Sequence, residues 1–292
     1  MSDPAKPTLL DHLSTNLLRI LPQHLLAAGM HRLARSTTPW LKDLLIRQIS
    51  RRYGMNMAEA EQSDLSSYPS FNAFFTRALK PDARPLAEGM VISPADGRVS
   101  QIGEIDGESL VQAKGHDFEL LALLAGDKQK TALFRDGLFA TIYLSPKDYH
   151  RVHMPFAGTL QSMTFVPGDL FSVSNATTQL VSGLFARNER VICHFETAFG
   201  PMAVILVGAI FVGSMETIWH GEVRGKRGQP TKWVYHGDDR RQFQAGEEIG
   251  RFNMGSTVIV LLPEGAAAWE ADIGAGDEVI LGQAIGRPTD RH

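Results

Sequence analysis

Apolar residues in the first 53 positions follow a helical spacing. They recur at steps of three and four residues, which is the period of one face of an α-helix. The positions fall into three runs, Leu9 to Leu21, Leu25 to Leu33 and Trp40 to Ile49. Pro22 separates the first two runs and suits the first turn of the second helix. The pattern therefore predicts three amphipathic helices, each too short to span a bilayer.

Basic residues lie among these apolar positions. They are Arg19, Arg32, Arg35, Lys42 and Arg47. Helices of this composition are typical of membrane interfaces, where the apolar face enters the lipid and the cations stay at its surface. A helical cap packed against the rest of the protein produces the same apolar stripe. The sequence leaves both interpretations open, a helical cap and a membrane-docking segment.

After Tyr53 the pattern changes to short apolar runs separated by Gly, Asp and Pro. Asp96-Gly97, Asp106-Gly107 and Asp136-Gly137 are signals of hairpins or tight turns. The predicted strands are Leu138 to Leu144, Val191 to Phe195, Trp233 to Tyr235, Thr257 to Leu262 and Val279 to Leu281. We expect few helices in this part of the chain.

Those helices are predicted around Ser70 to Leu79 and Phe118 to Ala125. A further run, Thr197 to Met215, has no charged residue and approaches the ~20 residues of a membrane-spanning helix. Its glycines and proline, and its β-branched residues, favour buried strands instead. The expected fold class is α+β, predominantly β, with N-terminal amphipathic helices over residues 1–60 and a β-rich catalytic body over residues 61–292.

The charge is distributed unevenly along the chain. The formal net charge is -3, yet the first 53 residues hold eight Lys and Arg against three Asp, so they carry +5 and the remainder carries -8. A basic segment on an acidic body indicates a polyanionic partner, either an anionic membrane surface or a nucleic acid. The single cysteine, Cys193, excludes an internal disulfide and a multi-cysteine zinc site. We expect a reducing compartment, and the residues after Met1 predict no secretory signal.

Candidate catalytic residues occur in three places. Gly255-Ser256 immediately precedes a predicted apolar strand, and Gly255 lacks a Cβ, so its carbonyl can be approached closely. Together with Asp96 and His153, Ser256 supplies the side chains of a nucleophile-activating relay. His150 and His153 could instead ligate a metal ion. We expect no metal, because only two ligands are close together and no His-Glu-x-x-His motif occurs.

Seven segments together resemble the bacterial, membrane-associated phosphatidylserine decarboxylases. The segments are Phe71 to Arg77, Ser93 to Arg98, Tyr143 to Pro155, Val166 to Val173, Leu184 to Arg190, Val212 to Thr217 and Met254 to Thr257. The resemblance extends from about Phe71 to Gly286. Met254 departs from the family, which usually has leucine there, but Leu and Met are similar in volume and apolarity. Cleavage is still expected.

The resemblance implies that the chain cleaves itself between Gly255 and Ser256. In the family, the matching serine attacks the preceding carbonyl, the resulting ester eliminates, and hydrolysis leaves a covalent pyruvoyl cofactor on the residue matching Ser256. The products would be residues 1–255 (the beta chain) and 256–292 (the alpha chain), held together after cleavage.

The same resemblance assigns roles to three further residues. His153 matches the residue that takes the serine proton, and Asp96 matches the carboxylate that holds its ring in the required tautomer. His150 matches a histidine of the decarboxylation step. The implied reaction converts phosphatidylserine to phosphatidylethanolamine and carbon dioxide. Loss of the carboxylate leaves a carbanion, which needs the electron sink that a ketone beside an amide provides.

The substrate explains the basic N-terminal segment. Phosphatidylserine stays in the bilayer, so we expect a peripheral enzyme on the cytoplasmic side of the cell membrane, bound to its anionic surface. Nucleic acid is not expected, because the body is acidic. Two alternatives are a serine hydrolase using Ser256, His153 and Asp96, which lacks the Gly-x-Ser-x-Gly elbow, and a non-catalytic lipid-surface binding module. A homodimer is also an open interpretation.

Overall fold

A computed structural model describes residues 21–113, 116–210, 214–225, 228–253 and 257–289, together with Thr8, His12 and Thr15. The apolar positions of the first predicted helix before Leu21 lie outside the described residues, and so do Met254, Gly255 and Ser256. The α-helices are α1 (Gln23–Ala34), α2 (Pro39–Tyr53), α3 (Phe71–Phe75), α4 (Leu120–Leu123), α5 (Lys128–Phe134), α6 (Asn175–Leu180) and α7 (Leu184–Arg187).

The second and third predicted N-terminal helices are confirmed as α1 and α2. Ile46 of α2 is fully buried and belongs to an apolar cluster with Phe71 and Phe74 of α3 and its surroundings. Outside this contact, Leu25 is 71% exposed and Trp40 is 68% exposed. The two helices therefore cap the body on one side and present apolar side chains on the other. No helix in the described part of the chain is long and apolar enough to cross a membrane.

The strands make up most of the body. They are β1 (Val91–Ile92), β2 (Gly97–Glu104), β3 (Ser109–Ala113), β4 (His116–Glu119), β5 (Leu138–Tyr143), β6 (Arg151–His153), β7 (Gly158–Val166), β8 (Arg190–Thr197), β9 (Gly200–Val207), β10 (Met215–Thr217), β11 (Gly221–Glu222), β12 (Thr231–Val234), β13 (Gln242–Phe243), β14 (Glu248–Phe252), β15 (Thr257–Leu262), β16 (Ala267–Trp269), β17 (Glu278–Val279) and β18 (Ala284–Pro288). The fold class is α+β and predominantly β, as expected from the sequence.

The strands form a large sheet and three smaller ones. The nine-stranded sheet has the order β12-β7-β8-β9-β15-β5-β2-β17, with β13 also paired to β7. A four-stranded sheet has the order β11-β10-β14-β6, a three-stranded sheet the order β1-β18-β16, and β3 pairs with β4. Consecutive strands β14 and β15 thus belong to different sheets, and the chain crosses from one sheet to the other between them.

β15 lies in the interior of the nine-stranded sheet. All six of its residues are buried, and it pairs antiparallel with both β5 and β9. Val258 faces Ile142 on one side and Leu206 on the other. The uncharged run after Thr197 supplies β9, which confirms the prediction of a buried strand. Continuous apolar sequence is what a strand buried on both faces requires.

Three local predictions differ from the structure. The helix expected from Ser70 ends at Phe75, because Leu79 instead forms an antiparallel bridge with Ala60. The helix expected from Phe118 starts two residues later, because β4 pairs with β3 before the turn into α4. Asp96-Gly97 forms a bend into β2, rather than a hairpin, since β1 and β2 belong to different sheets.

Candidate active site

The predicted cleavage site lies on the connection between β14 and β15. β14 ends at Phe252 in the four-stranded sheet, and β15 begins at Thr257 in the nine-stranded sheet. The predicted scissile pair, Gly255 and Ser256, lies outside the described residues. The surroundings of the site are therefore described through the flanking residues, Asn253 and Thr257.

Asn253, on the upstream side, is held by its backbone and its side chain. It is 3% exposed, and its N–H donates to the carbonyl of Ser214 at 3.1 Å. Its Nδ2 donates to Ser214 Oγ at 2.5 Å and to Glu216 Oε1 at 2.9 Å. Asn72 Nδ2 donates to the Asn253 carbonyl at 3.2 Å and to Oδ1 at 3.0 Å. This residue is fixed by groups from two separate segments, one around Asn72 and one from Ser214 to Glu216.

Thr257, on the downstream side, is held by the central sheet. It pairs with Tyr143 of β5 and with Val207 of β9, and it is fully buried. Its hydroxyl has no hydrogen-bond partner among the residues that the structure describes. A buried hydroxyl without a partner is costly, so it marks a place where a polar group is expected to bind.

His150 is fully buried beside the same connection. Its carbonyl accepts a hydrogen bond from the N–H of Phe252 at 3.0 Å. Its ring stacks on Phe75, with ring centres 4.0 Å apart and planes inclined by 14°. Neither ring nitrogen has a well-formed hydrogen bond within the described part of the chain, although the backbone carbonyls of Pro146 and Ser145 are close enough to favour the charged ring. Burial, assisted by the nearby Arg77 cation, lowers the pKa of His150 to about 3, so the ring is neutral at physiological pH.

Arg77 adds an unusual cation to this interior. It is 4% exposed, and its Nη2 donates to the carbonyl of Lys147 at 3.2 Å. Its Nε and Nη1 have no partner among the described residues. Burial lowers the pKa of Arg77 from its ordinary value, against the attraction of Tyr68 and Asp96 among other groups. Donors left unsatisfied in a buried guanidinium favour an anion or water in their vicinity.

His153 has a hydrogen bond at each ring nitrogen. Nδ1 lies 2.7 Å from the carbonyl oxygen of Gly246, and Nε2 lies 3.0 Å from the hydroxyl of Tyr149. A carbonyl can only accept, so Nδ1 carries the proton and the lone pair of the neutral ring is on Nε2. Burial lowers the pKa of His153, although the Gly246 carbonyl and the charge of Glu248 oppose it. The ring is therefore a neutral base at physiological pH.

Asp96 lies near His153, whose N–H donates to the carbonyl of Pro94, but the Asp96 carboxylate has other partners. Oδ1 and Oδ2 accept from Nε and Nη2 of Arg84 at 2.9 and 2.5 Å, and Oδ1 accepts from the N–H of Leu281 at 2.8 Å. The expected hydrogen bond from His153 to Asp96 is not formed in this structure, because the Gly246 carbonyl occupies Nδ1. Asp96 acts on the ring through its charge, which favours the protonated form.

The described part of the chain contains no cluster of three or more His, Cys, Asp or Glu that could hold a metal ion. Two cavities adjoin the site instead, and Tyr143 lines both. One, of about 230 Å³, is mainly apolar and reaches from Tyr53 of α2 to Phe75, which stacks on His150. The other, of about 260 Å³, is lined by charged side chains that include Arg98 and Lys147. The two cavities therefore share Tyr143, the residue of β5 that pairs with Thr257.

Several residues that the structure places here are not selected by any pattern in the sequence. Asn72, Arg77 and Tyr149 lie in the motifs that carry the resemblance, but nothing in their spacing indicates where they point. Glu216 lies in another such motif, and its contact with Asn253 joins positions 37 residues apart. Only the three-dimensional pairing of β10 with β14 reveals it.

Comparison with known families identifies two matching regions. A family model described as phosphatidylserine decarboxylase matches residues 71–287. A second model, described as PSD, matches residues 13–54, which include most of the N-terminal helical segment. The two matches together cover most of the chain.

Curated relatives named phosphatidylserine decarboxylase proenzyme match over nearly their whole length, as three of them illustrate. The protein of Methylococcus capsulatus is 56% identical over 270 residues, which are 91% of this chain and 93% of the relative. That of Marinobacter nauticus is 51% identical over 282 residues, or 96% and 99%. That of Nitrosococcus oceani is 48% identical over 290 residues, or 98% and 95%.

Proposed function

The chain belongs to the phosphatidylserine decarboxylase family, and we propose that it is a proenzyme that converts Ser256 into the pyruvoyl group with which it decarboxylates phosphatidylserine. The products are phosphatidylethanolamine and carbon dioxide. The observation that carries the proposal is the match of the family model over residues 71–287, joined to buried, anchored residues on both sides of the predicted cleavage site. The proenzyme name of the relatives favours self-processing over a serine hydrolase or a non-catalytic lipid-binding module.

Self-cleavage proceeds by rearrangement of the Gly255–Ser256 peptide bond. The Ser256 hydroxyl attacks the Gly255 carbonyl carbon and the peptide nitrogen leaves, which converts the amide into an ester. Removal of the α-proton of residue 256 then expels the Gly255 carboxylate, so the chain separates into residues 1–255 and 256–292. Elimination leaves an enamine, which tautomerises to an imine when its β-carbon gains a proton. Water hydrolyses the imine and releases ammonia, which leaves a ketone at position 256. The shorter piece has 37 residues.

His153 is the base that we propose for the first step. Its neutral ring carries a lone pair on Nε2, and Tyr149 is the group that now donates to it at 3.0 Å. The tautomer is fixed by the Gly246 carbonyl, which takes the part expected of Asp96. The Asp96 charge still stabilises the imidazolium once the proton has arrived.

The surroundings of position 256 fit a small polar group. Thr257, the next residue in the chain, has a hydroxyl without a partner among the described residues, and the backbone of the buried His150 is hydrogen-bonded to that of Phe252. A ketone next to an amide supplies the electron sink that α-decarboxylation of an amino acid requires. No metal is needed for that chemistry, so none is proposed.

His150 is the group that we propose for proton delivery in the decarboxylation. The ring is neutral before substrate binds, because burial and the Arg77 cation disfavour its charge. Entry of the anionic headgroup offsets the field of Arg77 and raises the pKa of His150, so proton uptake accompanies binding. General-acid assistance of this kind is typically worth about 10²- to 10⁴-fold in rate.

The membrane supplies the substrate. Exposed apolar residues on α1 and α2, among them Leu25 and Trp40, and the basic side chains between them suit the surface of an anionic bilayer. We propose peripheral binding on the cytoplasmic side of the cell membrane, where anionic lipids attract basic segments. The apolar cavity that reaches from Tyr53 to Phe75 offers a path for the lipid from α2 to His150.

A homodimer is a separate proposal, to be tested by measuring the mass of the protein in solution.

Intact mass tests the proposal directly. We expect two polypeptides of 255 and 37 residues, the shorter with a carbonyl that borohydride reduces, and carbon dioxide release from phosphatidylserine vesicles. Ser256→Ala should give one uncut and inactive chain. Fully active protein that remains a single polypeptide would refute self-cleavage, and cleaved protein without carbon dioxide release would refute the assigned reaction.

A further inference from the structure

Glu216 connects the N-terminal helices to the residue that precedes the cleavage segment. Its Oε1 accepts from Asn253 Nδ2 at 2.9 Å and from Nη2 of Arg35, the residue that follows α1, at 3.3 Å. Glu216 lies on β10, opposite Arg251 of β14. One carboxylate oxygen is therefore shared between an N-terminal arginine and an asparagine two residues before Gly255.

The side-chain amide of Asn253 has a single orientation consistent with its neighbours. Its Oδ1 accepts from Asn72, whereas its Nδ2 donates to Ser214 and to the carboxylate of Glu216. A carboxylate can only accept, so rotating the amide by 180° would place an oxygen against Glu216 and a nitrogen against the Asn72 donor. The Glu216 carboxylate thus determines how this amide is oriented.

We propose that Glu216, Asn253 and Asn72 are positioning residues for self-cleavage, which hold the backbone at Asn253 and thereby restrict the motion of the segment that contains the Gly255–Ser256 bond. The inference rests on the proposed cleavage between Gly255 and Ser256. Arg35 contributes to the same arrangement from the end of α1. None of these four side chains takes part in the bond-making steps themselves.

The geometry gives a physical reason for this role. Asn253 is fixed by its N–H, its carbonyl and its side chain, and Thr257 is fixed by pairing on both sides of β15. The reacting bond lies in the three residues between these two fixed points. An intramolecular attack depends steeply on alignment, and a displacement of about 1 Å can lower the rate by about 10²-fold. Releasing one fixed point should therefore slow cleavage without removing any reacting group.

Arg35 is expected to contribute less than Glu216. The side chains of Arg35 and Glu216 are 31% and 27% exposed, so their ion pair is partly screened by solvent. Pairs of this kind contribute little, and their loss corresponds to about a two- to fivefold change. The Asn253–Glu216 bond is more enclosed, since Asn253 is 3% exposed. We therefore expect Glu216→Ala to slow self-cleavage more than Arg35→Gln does.

Four variants of the full-length chain separate orientation from general stability. Glu216→Ala removes the acceptor, whereas Glu216→Gln keeps an oxygen that can accept from Asn253. Asn72→Ala removes two hydrogen bonds to Asn253 at a distance from Glu216. Glu270→Ala is the matched control, because Glu270 is 28% exposed and faces Arg287 at 3.8 Å in a different sheet.

The experiment follows the appearance of the 37-residue chain by intact mass in freshly synthesised protein. We expect cleavage to slow about 100-fold in Glu216→Ala and Asn72→Ala, and to stay within about threefold of wild type in Glu216→Gln. Glu270→Ala should match wild type. Decarboxylation per mole of borohydride-reducible chain should be unchanged in every variant, because the positioning residues act before the reducible carbonyl is formed.

Several results would overturn the inference. Wild-type cleavage rates in both Glu216→Ala and Asn72→Ala would do so, as would a Glu216→Gln variant as slow as Glu216→Ala. If Glu270→Ala lowered the thermal midpoint and the cleavage rate as much as Glu216→Ala does, the effect would be one of general stability alone. An uncut wild-type chain would instead refute the proposed function, so the two failures are distinguishable.

Discussion

Self-cleavage should follow the protonation of His153, and Tyr149→Phe should move that dependence to lower pH. The Tyr149 hydroxyl donates to the Nε2 lone pair of the neutral ring, across 3.0 Å. When Nε2 is protonated, the hydroxyl can rotate and accept a charge-assisted hydrogen bond, which is stronger than the bond to the neutral ring, so the hydroxyl favours the protonated form of His153. Replacing tyrosine by phenylalanine removes the donor and keeps the ring, whose centre lies 5.5 Å from that of His153.

The size of the effect follows from the value of one hydrogen bond. Burial already lowers the pKa of His153 below its ordinary value of 6.5. The half-maximal pH of wild-type cleavage should therefore lie below 6.5. A hydrogen bond to a charged group exceeds a neutral one by about 1 kcal/mol, so its loss should lower the pKa of His153 by about 0.7. The half-maximal pH of cleavage should fall by the same amount.

The assay uses freshly synthesised chain transferred to buffers from about pH 5 to 8, with cleavage followed by intact mass. Tyr235→Phe is the control, because the Tyr235 hydroxyl accepts from Trp219 Nε1 at 2.9 Å and has no contact with His153. Its profile should overlie that of wild type. A wild-type midpoint above pH 6.5, or a Tyr149→Phe midpoint that is unchanged or higher, would refute the assignment of His153 as the base.

Three further predictions concern the reaction, the core and the membrane. His150→Gln should cleave normally but decarboxylate about 10²- to 10⁴-fold more slowly, measured as carbon dioxide per mole of reducible chain; normal turnover would exclude His150 as the proton donor. Ile259→Ala, in the fully buried β15, should lower the free energy of unfolding by about 2–5 kcal/mol in urea titrations, and a loss below about 1 kcal/mol would contradict its packing. Leu25→Ala combined with Trp40→Ala should weaken binding to anionic vesicles in sedimentation assays, whereas the control Leu133→Ala, at an exposed position on the body, should not. Equal binding of the double variant and wild type would show that these exposed side chains of α1 and α2 do not contact the membrane.

The strongest periodic signals in the sequence correspond to the parts of the fold that packing dominates. The apolar run from Thr257 to Leu262 is a strand because it is enclosed on both sides by β5 and β9. α2 follows its apolar spacing because Ile46 inserts into the cluster around Phe71. Short elements were less predictable. Phe118 is in a strand through its pairing with Leu110, a contact that local propensity does not contain.

The site was predictable in its residue types but not in its contacts. Motif resemblance selects Asp96, His150, His153 and Ser256, yet it cannot show that the Gly246 carbonyl takes Nδ1 of His153. That contact depends on the pairing of β14 with β6, which brings residues 93 positions apart together. Backbone carbonyls occur at every position, so no residue pattern marks the one that fixes a tautomer. Arg84 is similarly unmarked, although it engages the carboxylate of Asp96.

The two histidines are neutral for the same reason but are prepared for different steps. Burial lowers the pKa of both. His153 has its tautomer fixed by Gly246 and its lone pair directed at a hydroxyl, which is the state required of a base before any substrate is present. Neither nitrogen of His150 has a well-formed hydrogen bond among the described residues; the carbonyls of Pro146 and Ser145 favour its charged form, but burial and the Arg77 cation outweigh them and lower its pKa. In the proposed mechanism, His153 therefore acts before substrate binds, whereas the anionic headgroup assists protonation of His150. On this proposal, the two steps are separated by the surroundings of two side chains three residues apart.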